Sequence, residues 1–205
     1  MTTPDFARLG VPSVLVGALA PRGIVEPTPI QAATLPDSLT GRDVLGRGRT
    51  GSGKTYAFLL PLVSRLIAEP RRRVARRPRS LILAPTRELA TQLAESLKPL
   101  EEAAGLRSAV VFGGVGQNPQ VKALAGGIDV LVACPGRLLD LMNQGHADLG
   151  GVEITVIDEA DHMADMGFLP MVRKILAKTP SKGQRMLFSA TLDSGVNKLV
   201  KEFLH

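Results

Sequence analysis

The 205-residue chain has no tryptophan and one tyrosine, and aromatic residues make up only 3% of it. Its core must therefore be aliphatic. A single cysteine, Cys134, excludes an internal disulfide and fits a reducing compartment. No apolar run approaches the ~20 residues of a membrane span. Met1 to Asp5 lack the basic and apolar regions of a signal peptide. These absences point to a soluble, cytoplasmic protein without a membrane partner. There is neither an internal repeat nor a linker-like stretch, so residues 1–205 are expected to form one domain. Hydrophobic content of 44% against 21% charged residues is that of a globular chain able to bury a core.

The net charge is +6, and its placement matters more than its size. Arg71, Arg72, Arg73, Arg76, Arg77 and Arg79 lie within nine residues that contain no acid. Those six account for the whole excess, so the rest of the chain is balanced. The segment is either a solvated loop between a helix and a strand or an electrostatic contact to a polyanion.

The stretch with the most chemical content is Gly48-Arg49-Thr50-Gly51-Ser52-Gly53-Lys54-Thr55. Its pattern is Gly, four residues, then Gly-Lys-Thr, between a short strand ending near Gly46 and a helix-like apolar run from Tyr56. Glycines let the backbone curl so that several N–H groups point inward and cradle phosphate oxygens. The following helix adds its positive end. Arg49, Thr50, Gly51, Ser52 and Gly53 would line that cradle. Lys54 would reach the β- and γ-phosphates of a nucleotide, and the Thr55 hydroxyl would ligate Mg²⁺.

Along the chain, strand-like and helix-like segments alternate. Continuous apolar runs at 80–84, 129–133 and 154–157 suit strands buried on both faces. Further strands are expected at 108–112 and 184–188. Helices are expected at 12–20, from Pro29, at 54–68, after 85–90 to about 103, and at 117–125, 137–143, 168–178 and 193–203. This alternation implies an α/β fold, a three-layer parallel sheet with helices on both faces. The polar and glycine-rich segments 46–55, 85–90, 113–114, 134–137, 158–161 and 189–191 each follow a strand. They should meet on the rim where open α/β sheets bind ligands.

Asp158-Glu159 follows four apolar strand residues and is the expected partner of the glycine loop. An aspartate there can hold Mg²⁺ beside Thr55, and the adjacent glutamate can orient or deprotonate an attacking water. Thr28 can cap the helix that Pro29 begins. Gln31, in its first turn, carries a carbonyl acceptor and an amide donor that suit an adenine edge, or simply faces water.

With Asp158-Glu159-Ala160-Asp161 the chain resembles the first RecA-like domain of a bacterial-type DEAD-box RNA helicase. The resemblance runs from Phe6 to about Leu204, with the motifs in the family's order. It implies that Phe6, 17 residues ahead of Gly23, stacks on adenine while Gln31 reads its edge, within an N-terminal extension over about residues 1–36. It implies an ATP- and Mg²⁺-dependent enzyme in which Lys54, Asp158 and Glu159 carry catalysis. Gly48 to Thr55 matches motif I, Pro85 to Ala90 motif Ia, Gly113-Gly114 the following glycine pair, and Ser189-Ala190-Thr191 motif III. By the same resemblance Thr86, Arg87, Gly114 and Arg137 grip an RNA backbone without reading sequence, and Asp161, Ser189 and Thr191 couple the ATP state to that grip.

Two residues depart from the family pattern. Cys134 stands where motif Ib usually begins with threonine, which weakens one hydroxyl contact to phosphate. Gly48 replaces the usual alanine of motif I. The family also has a second RecA-like domain carrying arginines that complete the ATP site, and no such stretch follows Ser189-Ala190-Thr191 here. The resemblance therefore implies part of a longer protein, with little hydrolysis by this domain alone. A different P-loop NTPase, or a non-catalytic RNA-binding module dominated by the arginine-rich segment, are the alternatives.

Overall fold

The computed structural model describes residues 5–205, so the first four residues of the expected 1–205 domain lie outside it. Six strands form one sheet: β1 (Val44–Arg47), β2 (Ser80–Leu83), β3 (Ser108–Val111), β4 (Val130–Ala133), β5 (Ile154–Ile157) and β6 (Gln184–Ser189). All neighbours are parallel, in the order β1-β6-β5-β2-β4-β3. β2, β4, β5 and β6 are buried at every position, which is why stretches such as 81–83, 130–133 and 186–188 are apolar without alternation.

Among the described residues nine α-helices connect and cover these strands: α1 (Ser13–Leu19), α2 (Pro29–Ser38), α3 (Lys54–Ala68), α4 (Arg87–Ala104), α5 (Asn118–Ala125), α6 (Pro135–Asn143), α7 (Ala160–Asp165), α8 (Leu169–Leu176) and α9 (Ser194–Phe203). Period-2 alternation sends successive strand residues to opposite faces. Ile82, Val130, Val132, Val156, Met186 and Phe188 meet the apolar stripes of α1, α3 and α4. Leu81, Leu83, Leu131, Ile157 and Leu187 meet those of α6, α7, α8 and α9. The result is the three-layer α/β arrangement that the sequence implies. Between β1 and α3 the packing leaves no room: a Cβ on Gly46 would lie 2.2 Å from the Phe188 ring, which itself packs on Phe58 at 5.3 Å between centroids. Among the described residues no helix is long and apolar enough to cross a membrane.

Two local features differ from the sequence expectation. α7 was not foreseen; it starts directly after Glu159, whose backbone is left-handed (φ 54, ψ 51). The helix after β4 starts at Pro135, earlier than residue 137.

The arginine-rich segment is folded onto the protein at the N-terminal edge of the sheet, opposite the glycine loop. Arg71 pairs with Glu69 at 3.2 Å, Arg73 with Asp129 at 2.8 Å, Arg77 with Asp148 at 2.9 Å and Arg79 with Glu153 at 2.6 Å. Four of the six cations thus already have carboxylate partners, and these pairs hold the segment against the protein. Arg79 is 7% exposed and also donates to the carbonyls of Leu66 and Glu69, where α3 ends. Arg79→Ala takes the nearer of two cations from Glu153, leaving it Arg71 at 3.5 Å, and strands two helix-end carbonyls. The expected loss is about 3 kcal/mol, the low end for breaking a buried pair because Glu153 keeps some water contact. A thermal melt should show a fall of roughly 6–12 °C at this chain length. A shift under 2 °C would contradict the structural role.

Candidate functional site

All six strands run the same way, so their C-terminal ends lie along one edge of the sheet. β1, β6 and β5 are neighbours. The glycine loop therefore leaves the sheet two strands from the acidic pair, with Ser189 at the end of the strand between. Gly48 N–H donates to Ser189 O at 3.1 Å, which pins the start of the loop to β6.

Loop curvature depends on Gly51 (φ 84) and Gly53 (φ 87), both in the left-handed region. Gly53 is also pressed by its neighbours: a Cβ there would come within 2.4 Å of Thr28 Oγ1 and 2.8 Å of Gln31 Nε2. α2 thus leans directly on the loop. Gln31, 2% exposed, donates from Nε2 to Gly53 O at 2.8 Å, and its Oε1 accepts from Thr28 N–H at 3.0 Å. The amide expected to face adenine is engaged at both ends by protein backbone in this conformation. It keeps one N–H and one lone pair for a ligand. Thr28 and Gln31 are placed as a capping box, yet the half that forms is the glutamine's; Thr28 Oγ1 is buried without a hydrogen bond.

Lys54 opens α3 and reaches back across the rim. Its Nζ lies 2.7 Å from Glu159 Oε1 and 3.2 Å from Asp158 Oδ1. Thr50 Oγ1 donates weakly to the same glutamate oxygen at 3.4 Å. Asp158 is fully buried, and burial pushes its carboxyl up to about 6 despite the pull of Lys54. Burial works against the Lys54 ammonium, but Asp158 and then Glu159 outweigh it, so its pKa is raised.

Buried oxygens without partners are rare and informative. Three lie at this site: Thr28 Oγ1, Ser52 Oγ and Asp158 Oδ2. Two are hydroxyls on or against the loop, suited to phosphate or sugar oxygens. The third is a carboxylate lone pair, suited to a cation. Among the described residues no cluster of three or more His, Cys, Asp or Glu is arranged to hold a metal alone. One carboxylate oxygen with the adjacent loop and its Thr55 hydroxyl matches Mg²⁺, which takes few protein ligands and completes its shell with phosphates and water.

Around the acidic strand end, Thr191 Oγ1 and N–H donate to Asp161 Oδ2 at 3.1 and 3.2 Å. Asp161 N–H donates to Ser189 Oγ at 3.2 Å, and that hydroxyl donates to Thr191 O at 2.7 Å. Burial opposes the Asp161 carboxylate, but the hydrogen bonds from Thr191 and from His162 N–H prevail and its pKa is lowered. The chain of contacts from Gly48 through Ser189 to Asp161 is continuous.

Farther along the rim, Thr86 Oγ1 caps α4 by accepting from Leu89 N–H at 3.2 Å. Arg87 is exposed and its guanidinium lies 4.8 Å from the centroid of the Phe112 ring. Gly114 is exposed with φ 80. Arg137 donates to Val115 O at 2.8 Å and Gln120 Oε1 at 3.1 Å. Thr86, Arg87, Gly114 and Arg137 therefore share the rim that Lys54, Asp158 and Glu159 occupy. Burial raises the Cys134 thiol to about 11, so it stays protonated and a weak donor. Phe6 does not join the site as expected. It is 1% exposed in the same buried cluster as Val11, Leu15 and Leu35, with no ring face open in this conformation. Local sequence carries no sign of Phe112 and Gln120, which touch the rim arginines.

An all-parallel α/β sheet with a glycine loop, a lysine at the next helix start and an acidic pair two strands away defines a RecA-like P-loop domain. The family model described as DEAD/DEAH box helicase matches residues 28–199. The maize chloroplastic DEAD-box ATP-dependent RNA helicase 3B is 48% identical over 203 residues, covering 98% of this chain and 27% of that protein. The ATP-dependent RNA helicase RhlB of Cronobacter sakazakii is 42% identical over 206 residues, covering 98% and 49%. A crystal structure of a DEAD box protein from Methanococcus jannaschii superposes with a TM-score of 0.88 at 34% identity, covering 98% of this chain and 53% of that one. The chain belongs to the DEAD/DEAH box helicase family. It spans about half or less of the length of these relatives.

Proposed function

We propose that residues 1–205 are the ATP-binding lobe of an RNA-dependent ATPase that separates short duplexes, working with a second RecA-like lobe. The observation that carries this is the meeting of Lys54 Nζ with Asp158 and Glu159 from far along the chain. The ammonium takes the β- and γ-phosphates in place of the carboxylates, and loop N–H groups from Arg49 to Gly53 hold the remaining phosphate oxygens. Thr55 and Asp158 would hold Mg²⁺, which supplies charge neutralisation on the phosphates. Glu159 orients and deprotonates the attacking water. Thr86, Arg87, Gly114 and Arg137 bind RNA phosphates and sugars, so binding is salt-sensitive and weakly sequence-specific. Asp161, Ser189 and Thr191 link the two ligands. The relatives' printed names and lengths support the RNA, the second lobe and the ATP requirement. The cytoplasmic placement belongs to the same proposal; one relative is chloroplastic.

In this reading Gln31, with Phe6 moved out of the core to stack, makes the site prefer adenine. ATP should bind at least ~5-fold more tightly than GTP, since a lost bidentate base contact is worth about 1–3 kcal/mol. Gln31→Ala should weaken both nucleotides, because it also frees Gly53 O, and should collapse the ratio toward one. Equal affinity of the wild-type chain for ATP and GTP sinks the adenine assignment. The 205-residue chain alone should hydrolyse ATP near background, as a missing arginine finger is worth ~10³–10⁵ in rate. Robust RNA-stimulated turnover by this chain in isolation would reject the two-lobe account.

A further inference from the structure

We propose that Gln120 is a positioning residue for RNA, holding the two rim arginines and the glycine pair in their binding pose; this rests on the RNA reading above. Gln120 lies in the first turn of α5 and is 8% exposed, so its amide must be satisfied internally. Nε2 donates to Phe112 O at 3.0 Å, and Oε1 accepts from Arg137 at 3.1 Å. The opposite amide orientation would set NH₂ against a guanidinium and oxygen against oxygen, so the two partners define one arrangement.

Phe112 O lies just before Gly113-Gly114, and Val115 O, held by Arg137 at 2.8 Å, lies just after. The two bonds bracket the glycine pair, which has no side chain of its own to hold it and whose second member sits at φ 80. Arg137 uses two of its five N–H donors in this way and keeps three for a phosphate. The Phe112 backbone that Gln120 holds also carries the ring on which Arg87 stacks at 4.8 Å. Held over the ring by cation–π attraction, the guanidinium spends no N–H on a hydrogen-bond acceptor there and keeps those donors for phosphate. One buried amide therefore sets the pose of Arg137 directly and that of Arg87 through Phe112. An arginine already held in its binding rotamer loses less freedom when RNA arrives.

The test uses the longer protein that carries this domain, a non-hydrolysable ATP analogue and fluorescein-labelled oligo(U), titrated by anisotropy at several salt concentrations. Gln120→Met keeps the length and removes both bonds. It should lower RNA affinity ~5–10-fold while ADP affinity stays within twofold. The salt slope should persist, because no charge is lost, whereas Arg137→Ala should reduce it by ~0.7. Gln120→Glu keeps the acceptor for Arg137 and should recover part of the loss. The Gln120→Met/Arg137→Ala pair should lose less than the product of the single losses. Phe112→Tyr should bind like wild type and Phe112→Leu ~3-fold more weakly, which keeps the question answerable if Gln120→Met folds poorly. Multiplicative losses, a parallel fall in ADP affinity, or Gln120→Met and Phe112→Leu within twofold of wild type would overturn the positioning role. Failure of the wild-type protein to bind oligo(U) would reject the RNA reading itself.

Discussion

Lys54→Ala should lower kcat/KM for ATP in the longer protein by ~10³-fold or more. One preorganised donor to developing charge is typically worth 10²–10³ in rate, and Lys54 also contributes to binding the phosphates. Its removal has a second effect at this site. Asp158 and Glu159 lose the ammonium that lies 3.2 and 2.7 Å away. The buried Asp158 carboxyl, already pushed up to about 6, is then raised further and holds its proton to higher pH than in the wild type. Metal-dependent ATP binding should therefore weaken more at pH 6.5 than at pH 8 in this variant. Steady-state kinetics at both values test the pair of effects. Turnover within threefold of wild type would remove Lys54 from the reaction.

Asp158→Asn should separate activity from stability. Turnover should fall ~10²-fold or more, because the amide replaces the one carboxylate oxygen left free for a cation. Stability should hold or rise. The folded pKa of Asp158 is above its unfolded value of about 3.9, so the folded state binds this proton more tightly than the unfolded state. The penalty for burying the charge is thus full above about pH 6 and fades as pH falls toward 4. Asn removes that penalty, and Lys54 keeps Glu159. The gain in melting temperature should be present at pH 7.5 and shrink by pH 5. For the same reason wild-type Mg²⁺-nucleotide affinity should drop below about pH 6, where the proton competes for Asp158. A variant less stable than wild type at pH 7.5 would show that Asp158 is structural before it is functional.

Much of this was legible before any coordinate. The runs at 80–84, 129–133 and 154–157 had to be fully buried strands, and a polar segment after each strand end placed the rim. Asp158-Glu159 was assigned to the glycine loop although 105 residues separate Lys54 from Glu159. Features set by single backbone angles or by the choice among distant partners were not legible. α7 depends on Glu159 adopting φ 54, which no local pattern signals. Gln31 could not be known to spend its amide on Thr28 and Gly53, nor Phe6 to lie within the core. The six arginines were countable, but their carboxylate partners Glu69, Asp129, Asp148 and Glu153 are spread over the chain. Gln120 matters through what it touches across the fold, and periodicity says nothing about that.

On the proposed function, the salt bridge from Lys54 to Glu159 imposes an order of events. While the ammonium sits 2.7 Å from Glu159 Oε1, that oxygen is taken and is not open to a water on the rim. A triphosphate that took the lysine onto its own oxygens would, in the same movement, set the glutamate free. On that reading the carboxylate that handles the attacking water is armed only once there is something to be attacked.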